Sequence, residues 1–224
     1  MKFEAILFDL DGTLLDTLDD LTDSANHALA ALGYPARTKS EVRRALGDGA
    51  RQLIERAMPE GSTQEDIARA LPLFQAHYAA NMAHKTAPYP GVMELLAALR
   101  ADGVKVGVVS NKFDGAVKPL CRKYFGDLVQ VAMGEREAEG VRRKPAPDAV
   151  FAALCALDVP ADRTLYVGDS DVDVLTARNA ALRCLAVSWG FCPREVLVEA
   201  GADGVIDRMD EFPEALRRLE AGSP

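Results

Sequence analysis

The sequence predicts an α/β protein: a parallel β-sheet covered on both faces, with an all-helical segment inserted after its first strand. Three observations carry this. Short apolar runs alternate with stretches of helical periodicity, the rhythm of a parallel sheet with helical crossovers. About 90 residues separate the first apolar run from the second, far more than one crossover needs. Acids, a hydroxyl and a glycine gather where the runs end, the place where open parallel sheets hold ligands.

Taken in order, Phe3–Leu10 is short, apolar and closed by acids, so it reads as a buried strand. The long interval that follows reads as helical. Leu18, Leu21, Ala25 and Leu32 share one stripe, Thr38 and Glu41 have the spacing of a capping box, and Leu53, Ile54 and Ala57 form a second stripe. Ile67, Leu71, Phe74 and Tyr78 form another, in which Pro72 is expected to kink the helix or mark its first turn. After the insertion, Val92, Leu95, Leu96 and Leu99 repeat at helical spacing up to a stop at Gly103. Five further strands are expected at Val104–Ser110, Leu128–Met133, Thr164–Gly168, Arg183–Ser188 and Gly204–Asp207. Helical patterns through Val150, Phe151 and Leu154 and, more weakly, Val172, Leu175 and Ala180 separate them. The division that follows is a sheet domain of residues 1–15 and 88–224 and a helical domain of residues 16–87. Hinges are expected near Asp16–Leu18 and Ala87–Gly91, and Gly222-Ser223-Pro224 reads as a loose tail.

Composition narrows the function. Lys and Arg number 26 against 34 Asp and Glu, a formal charge of −8 that argues against nucleic-acid or anionic-membrane binding. A small anionic substrate remains compatible, since it needs only a local positive pocket. No apolar run approaches the length of a membrane span, and Met1-Lys2-Phe3-Glu4 does not begin a signal sequence, so the cytoplasm is the expected location. Cys121, Cys155, Cys184 and Cys192 form no C-x-x-C pair and read as reduced thiols.

The strand ends carry the chemistry. Asp9 follows an apolar run, where a carboxylate is costly without a partner. Ionised at neutral pH, it can act as a nucleophile without a base. Asp11 would share its side if the chain is still extended there, placed to protonate a leaving oxygen and then activate water. Gly12 permits a sharp turn with backbone amides facing a phosphate. Carboxylates converging from Asp9, Asp169 and Asp173 call for a cation. Mg²⁺ suits oxygen ligands, with Asp9, Asp169 and the Asp11 carbonyl as direct ligands and Asp173 holding a bound water. Ser110 and Asn111 offer neutral donors to phosphoryl oxygens, and Lys144 supplies the positive charge that lets an anionic phosphate approach an anionic nucleophile.

In this order and spacing, Asp9-Leu10-Asp11-Gly12-Thr13, Ser110, Lys144-Pro145 and Gly168-Asp169-Ser170 with Asp173 resemble the four motifs of the haloacid dehalogenase superfamily over essentially the whole chain. The resemblance implies a Rossmann-like core, a helical cap closing over the site and an aspartyl-phosphate formed on Asp9. It implies Asp11 as acid/base, Ser110 and Lys144 on the phosphoryl group, and Asp9 with Asp169 on Mg²⁺. Within the superfamily, Asp9–Thr17, Gly47–Arg51, Ser110-Asn111-Lys112 and Arg143–Asp148 are most similar to the phosphoglycolate phosphatases. The expectation is therefore a phosphatase acting on a small phosphorylated metabolite, 2-phosphoglycolate first, as monomer or homodimer. Inorganic pyrophosphate or a broad range of small phosphoesters is the alternative, and a phospho-accepting regulatory module a more distant one. The charged loop of residues 134–140 departs from the pattern and leaves the rim of the site open.

Other residues carry weaker signals. Arg51 follows a Gly-x-Gly turn and could fork a substrate carboxylate, or could be a solvated helix arginine. His27, His77 and His84 fall on helical stretches and read as packed or surface residues; Trp189 reads as packing at the sheet end.

Overall fold

The structure, a computed structural model, describes residues 2–222; Ser223 and Pro224 of the expected tail lie outside the described residues. Six parallel strands form the sheet: β1 (Ala5–Phe8), β4 (Lys105–Phe113), β5 (Val131–Glu135), β6 (Thr164–Gly168), β7 (Arg183–Val187) and β8 (Gly204–Ile206). Their spatial order is β5-β4-β1-β6-β7-β8. The order reverses beside β1, which pairs with β4 on one side and β6 on the other. That reversal opens a crevice at the carboxyl ends of β1 and β6.

Alternation along β1 explains the two-sided burial. Ile6 and Phe8 point into one apolar layer, with Leu96 of α5 (Val92–Ala101), Val117 of α6 (Asp114–Tyr124) and Phe212 of α10 (Phe212–Ala221). Ala5 and Leu7 point into the other, with Val150 of α7 (Asp148–Leu157) and Val174 of α8 (Asp171–Asn179). Helix α9 (Arg194–Ala200) completes the sheet's surroundings. A strand covered on both faces has no reason to alternate polar and apolar residues, which is why Ala-Ile-Leu-Phe is apolar throughout.

Helices α1 (Leu18–Ala31), α2 (Lys39–Ala45), α3 (Ala50–Ala57) and α4 (Gln64–Asn81) make the insertion and share a separate apolar core. Thr38 and Glu41 form the expected capping box. Helix α4 begins with a second box, Thr63 with Asp66, and continues through Pro72. The insertion joins the sheet domain through a small antiparallel ribbon, β2 (Leu15–Asp16) with β3 (Ala87–Pro88), too short to register as strands in sequence. Several expected bounds shift, two of them by three residues. β4 runs on to Phe113, pairing with Glu135 after a register break, and β5 starts at Val131 because Gly126–Leu128 is a 3₁₀ turn. The segment expected as a loop at 134–140 is partly ordered by that pairing and by a 3₁₀ turn at Glu137–Glu139.

Asp20, on α1, locks the ribbon. Its buried carboxylate accepts from the backbone N–H groups of His84, Lys85 and Thr86 and from the Thr86 hydroxyl. Removing an acceptor strands buried donors, so Asp20→Ala is expected to cost about 2–3 kcal/mol. In a chain of this size that lowers Tm by several degrees. Denaturant titration checks it; an unchanged midpoint would mean the ribbon holds without Asp20.

Candidate active site

The carboxyl ends of β1, β4 and β6 face a cavity of ≈450 Å³ roofed by α2, α3 and α4. Asp9, immediately after β1, anchors its own N–H on the Val167 carbonyl of β6. Asp169 follows β6, and oxygens of Asp9, Asp169 and Asp173 lie within 4.8 Å of one another. Lys144 sits among them: its Nζ is 2.9 Å from Asp9 Oδ1 and donates to Asp173 Oδ1 at 2.7 Å and to the Tyr166 hydroxyl at 3.3 Å. Asp9 Oδ1 is buried and accepts no aligned hydrogen bond, so its contact with Lys144 is one of charge.

The chain builds this crowding deliberately. Gly12 has φ +84°, and a methyl there would overlap the Asp169 carboxylate; Gly190 gives way to the same group. Asp169 is held from two sides, by the Thr13 hydroxyl at 2.9 Å and the Phe191 N–H at 2.7 Å. Asp173 completes a capping box with Ser170 at the start of α8, which fixes it inside the cluster. Burial pushes the Asp9 carboxyl up to about 6; Lys144 opposes the rise, while Asp173 and Asp11 add to it. Burial likewise drives Asp169 well above the usual carboxylate range, with Asp173 and Asp9 reinforcing it. Burial opposes the charge of Lys144, yet Asp173 and Asp9 more than offset it and keep the ammonium protonated. Buried acids that repel one another at such close range fit a hard cation.

Several expected residues take different positions. Asp11 leaves the strand direction after Phe8. Its carboxylate accepts from Lys112 Nζ through both oxygens, at 2.9 and 2.8 Å, and from the Thr17 hydroxyl at 2.8 Å. It lines the same cavity as Asp9 but stands outside the three-carboxylate cluster. Asp173 has both oxygens engaged by Lys144, Tyr166 and Ser170, so as placed it orients Lys144 more directly than it would hold a cation's water. Ser110 is buried at the cavity wall; its oxygen accepts the Lys112 N–H and its own proton remains to donate inward.

Asn111 and Arg51 require correction. The Asn111 amide is spent on backbone: Oδ1 accepts the Lys144 N–H at 2.8 Å, and Nδ2 donates to the carbonyls of Lys144 and Gly47. It clamps Lys144 in place and leaves no side-chain donor for a phosphate. Arg51 is exposed and donates to Gln64 Oε1, because the phase of α3 turns Leu53, Ile54 and Ala57 inward and sends position 51 to solvent.

Sequence reasoning gave no role to Lys112 or Arg43. Lys112 is buried against Asp11 with its Nζ 4.4 Å from the Tyr78 ring of α4; burial opposes its charge, but Asp11 and Tyr78 hold its pKa above the ordinary lysine value. A lysine just past the expected end of the strand was the visible signal. Arg43, on α2, donates to the Gly190 and Phe191 carbonyls beside Asp169, a contact no motif announces. The less promising residues keep their ordinary roles. His27 stacks on His77 within the insertion, and the Trp189 indole donates to the Thr13 carbonyl. All four cysteines are unpaired. Among the described residues, no helix is long and apolar enough to cross a membrane.

Comparison with known proteins agrees with this geometry. Residues 6–187 match the model of the haloacid dehalogenase-like hydrolases. A phosphoglycolate phosphatase of Rhodospirillum rubrum is 36% identical over 217 residues, covering 91% of this chain and 87% of that protein. One from Mesorhizobium japonicum is 37% identical, covering 88% and 87%. A crystal structure from Lactobacillus delbrueckii subsp. bulgaricus, provisionally named a phosphoglycolate phosphatase, superposes with a TM-score of 0.89 at 36% identity, covering 96% of this chain and 99% of that one. With the family model spanning residues 6–187 and a relative 36% identical over nine-tenths of the chain, the chain belongs to the haloacid dehalogenase-like hydrolase family.

Proposed function

We propose that the chain is a Mg²⁺-dependent phosphatase that transfers the phosphoryl group of a small phosphomonoester to Asp9 and then to water, with 2-phosphoglycolate as the leading substrate. The observation that carries this is the cluster of three buried carboxylates, Asp9, Asp169 and Asp173, two of them paired with Lys144, with Asp9, Asp169 and Lys144 lining a roofed cavity. The names of the relatives support the substrate.

Asp9, whose carboxylate lines the cavity, attacks phosphorus. Lys144 and the Ser110 hydroxyl hold the phosphoryl oxygens, the lysine offsetting repulsion between substrate and nucleophile. Asp11 gives a proton to the leaving oxygen and takes one from the water that cleaves the aspartyl-phosphate. Lys112 and Thr17 position that carboxylate. Asp9, Asp169 and the Asp11 carbonyl would hold Mg²⁺, which neutralises charge on the phosphoryl group when bound. The reading includes a sheet domain of residues 1–15 and 88–224 under a cap of residues 16–87, a cytoplasmic location, and action as a monomer or homodimer.

Turnover of a phosphoester panel with and without Mg²⁺ tests it. Hydrolysis of 2-phosphoglycolate above inorganic pyrophosphate is expected; the reverse preference would make the chain a pyrophosphatase. A phosphorylated protein that persists for minutes without turnover would make it a regulatory module.

The cation also has a pH signature. Because Asp9 titrates near 6 when folded, above its unfolded value, it is the protonated form that favours folding. That contribution is present at low pH and lost as pH rises through about 6, where the ionised form also becomes available to a cation. Mg²⁺ at about 100 times its Kd can add up to about 2.7 kcal/mol. Mg²⁺ should therefore raise Tm by several degrees near pH 7.5 and by much less near pH 5. Equal shifts at both would mean that the cation does not bind at Asp9.

A further inference from the structure

The cavity above Asp9 is larger and greasier than a two-carbon leaving group requires. At ≈450 Å³ it falls in the range of pockets that enclose drug-sized ligands, about 300–1,000 Å³. Its walls beyond the phosphoryl site are apolar: Leu21, Leu46, Ala50 and Leu53 from the insertion face Phe113 and Phe191 from the sheet domain. The buried cations on the lining are paired, and Arg44, exposed at the rim, has one N–H bonded. Arg43 donates to the Gly190 and Phe191 carbonyls, Arg44 to Ser40, Lys112 to Asp11, and Lys144 to Asp173. Arg51 has turned to solvent. A chain of methylenes lying against the apolar walls would displace water from them along its whole length.

We infer that the site takes, besides small phosphoesters, monoesters whose leaving alcohol carries an apolar body of several carbons, seated between α2, α3 and the loop at Phe191. The inference rests on the phosphatase reading and extends its substrate class. The chemistry is unchanged. A bond forms from Asp9 oxygen to phosphorus as the bond from phosphorus to the alkoxy oxygen breaks; the alcohol takes its proton through Asp11, and water then releases inorganic phosphate.

The test uses the full chain with Mg²⁺ and n-alkyl phosphates from ethyl to hexyl. Their alcohols have nearly equal acidity, so a trend in kcat/KM reports contact with the walls and not leaving-group chemistry. Each methylene is expected to raise kcat/KM about threefold. n-Alkylphosphonates, which are not hydrolysed, should bind with the same trend by calorimetry. Leu46→Glu should lower the hexyl-to-ethyl ratio about tenfold. A flat or falling series alongside good turnover of 2-phosphoglycolate would overturn the inference and leave the phosphatase reading standing. Absence of turnover on every ester would defeat that reading instead. Phosphonate affinity independent of chain length would then still refute the apolar subsite, and it does so whether or not the variant folds.

Discussion

Asp9→Asn is expected to lower kcat by about 10⁴-fold or more, since the amide has no anionic oxygen with which to attack phosphorus. The same substitution should not harm the fold. Asp9 is held in a buried site that raises its pKa to about 6, with Asp173 and Asp11 adding to the rise that burial starts. Replacing it with a neutral group of the same shape removes that tension. Without Mg²⁺ near pH 7.5 the variant should melt at or above the wild-type temperature, and its Mg²⁺-dependent stabilisation should largely vanish. Steady-state assays beside thermal melts separate the outcomes. A variant that retains turnover would exclude Asp9 as nucleophile, and one that melts well below wild type would assign it a structural role.

Lys144→Met should have the second-largest effect, on both activity and stability. Lys144 is buried between Asp9 and Asp173, its Nζ 2.9 and 2.7 Å from their oxygens. Losing its charge where phosphate must approach an anion should lower kcat/KM about 10³-fold. Stranding two buried carboxylates should cost about 3–5 kcal/mol. The two losses can be divided. Asp173→Asn in the Lys144→Met background removes one stranded charge, so stability should recover substantially while activity stays low. Recovery of both would make Lys144 a scaffold for Asp173 and nothing more.

Much of this site was legible in sequence because its residues sit where the backbone has no choice. Asp9 and Asp169 directly follow β1 and β6, and adjacent parallel strands must end side by side, so their acids converge. Lys144 could be placed with them because opposite charge is needed there. The insertion showed itself through length and helical stripes. The ribbon of β2 and β3 stayed hidden because two residues per strand carry no period. Asn111 and Arg51 failed for a different reason: each has the right chemical type near the site, but the direction of a side chain depends on tertiary neighbours. The Lys144 backbone claimed one amide, and the phase of α3 sent the arginine outward. Arg43 was invisible on the same ground, its contacts being to carbonyls of a loop nearly 150 residues away.

What decides the matter is whether phosphorus is ever bonded to residue 9. Borohydride added during turnover of 2-phosphoglycolate reduces an acyl phosphate to an alcohol, and peptide mapping locates the change. Homoserine at position 9, dependent on substrate and absent from Asp11, is the expected result. Modification at another carboxylate, or none during sustained turnover, would contradict a covalent route through Asp9.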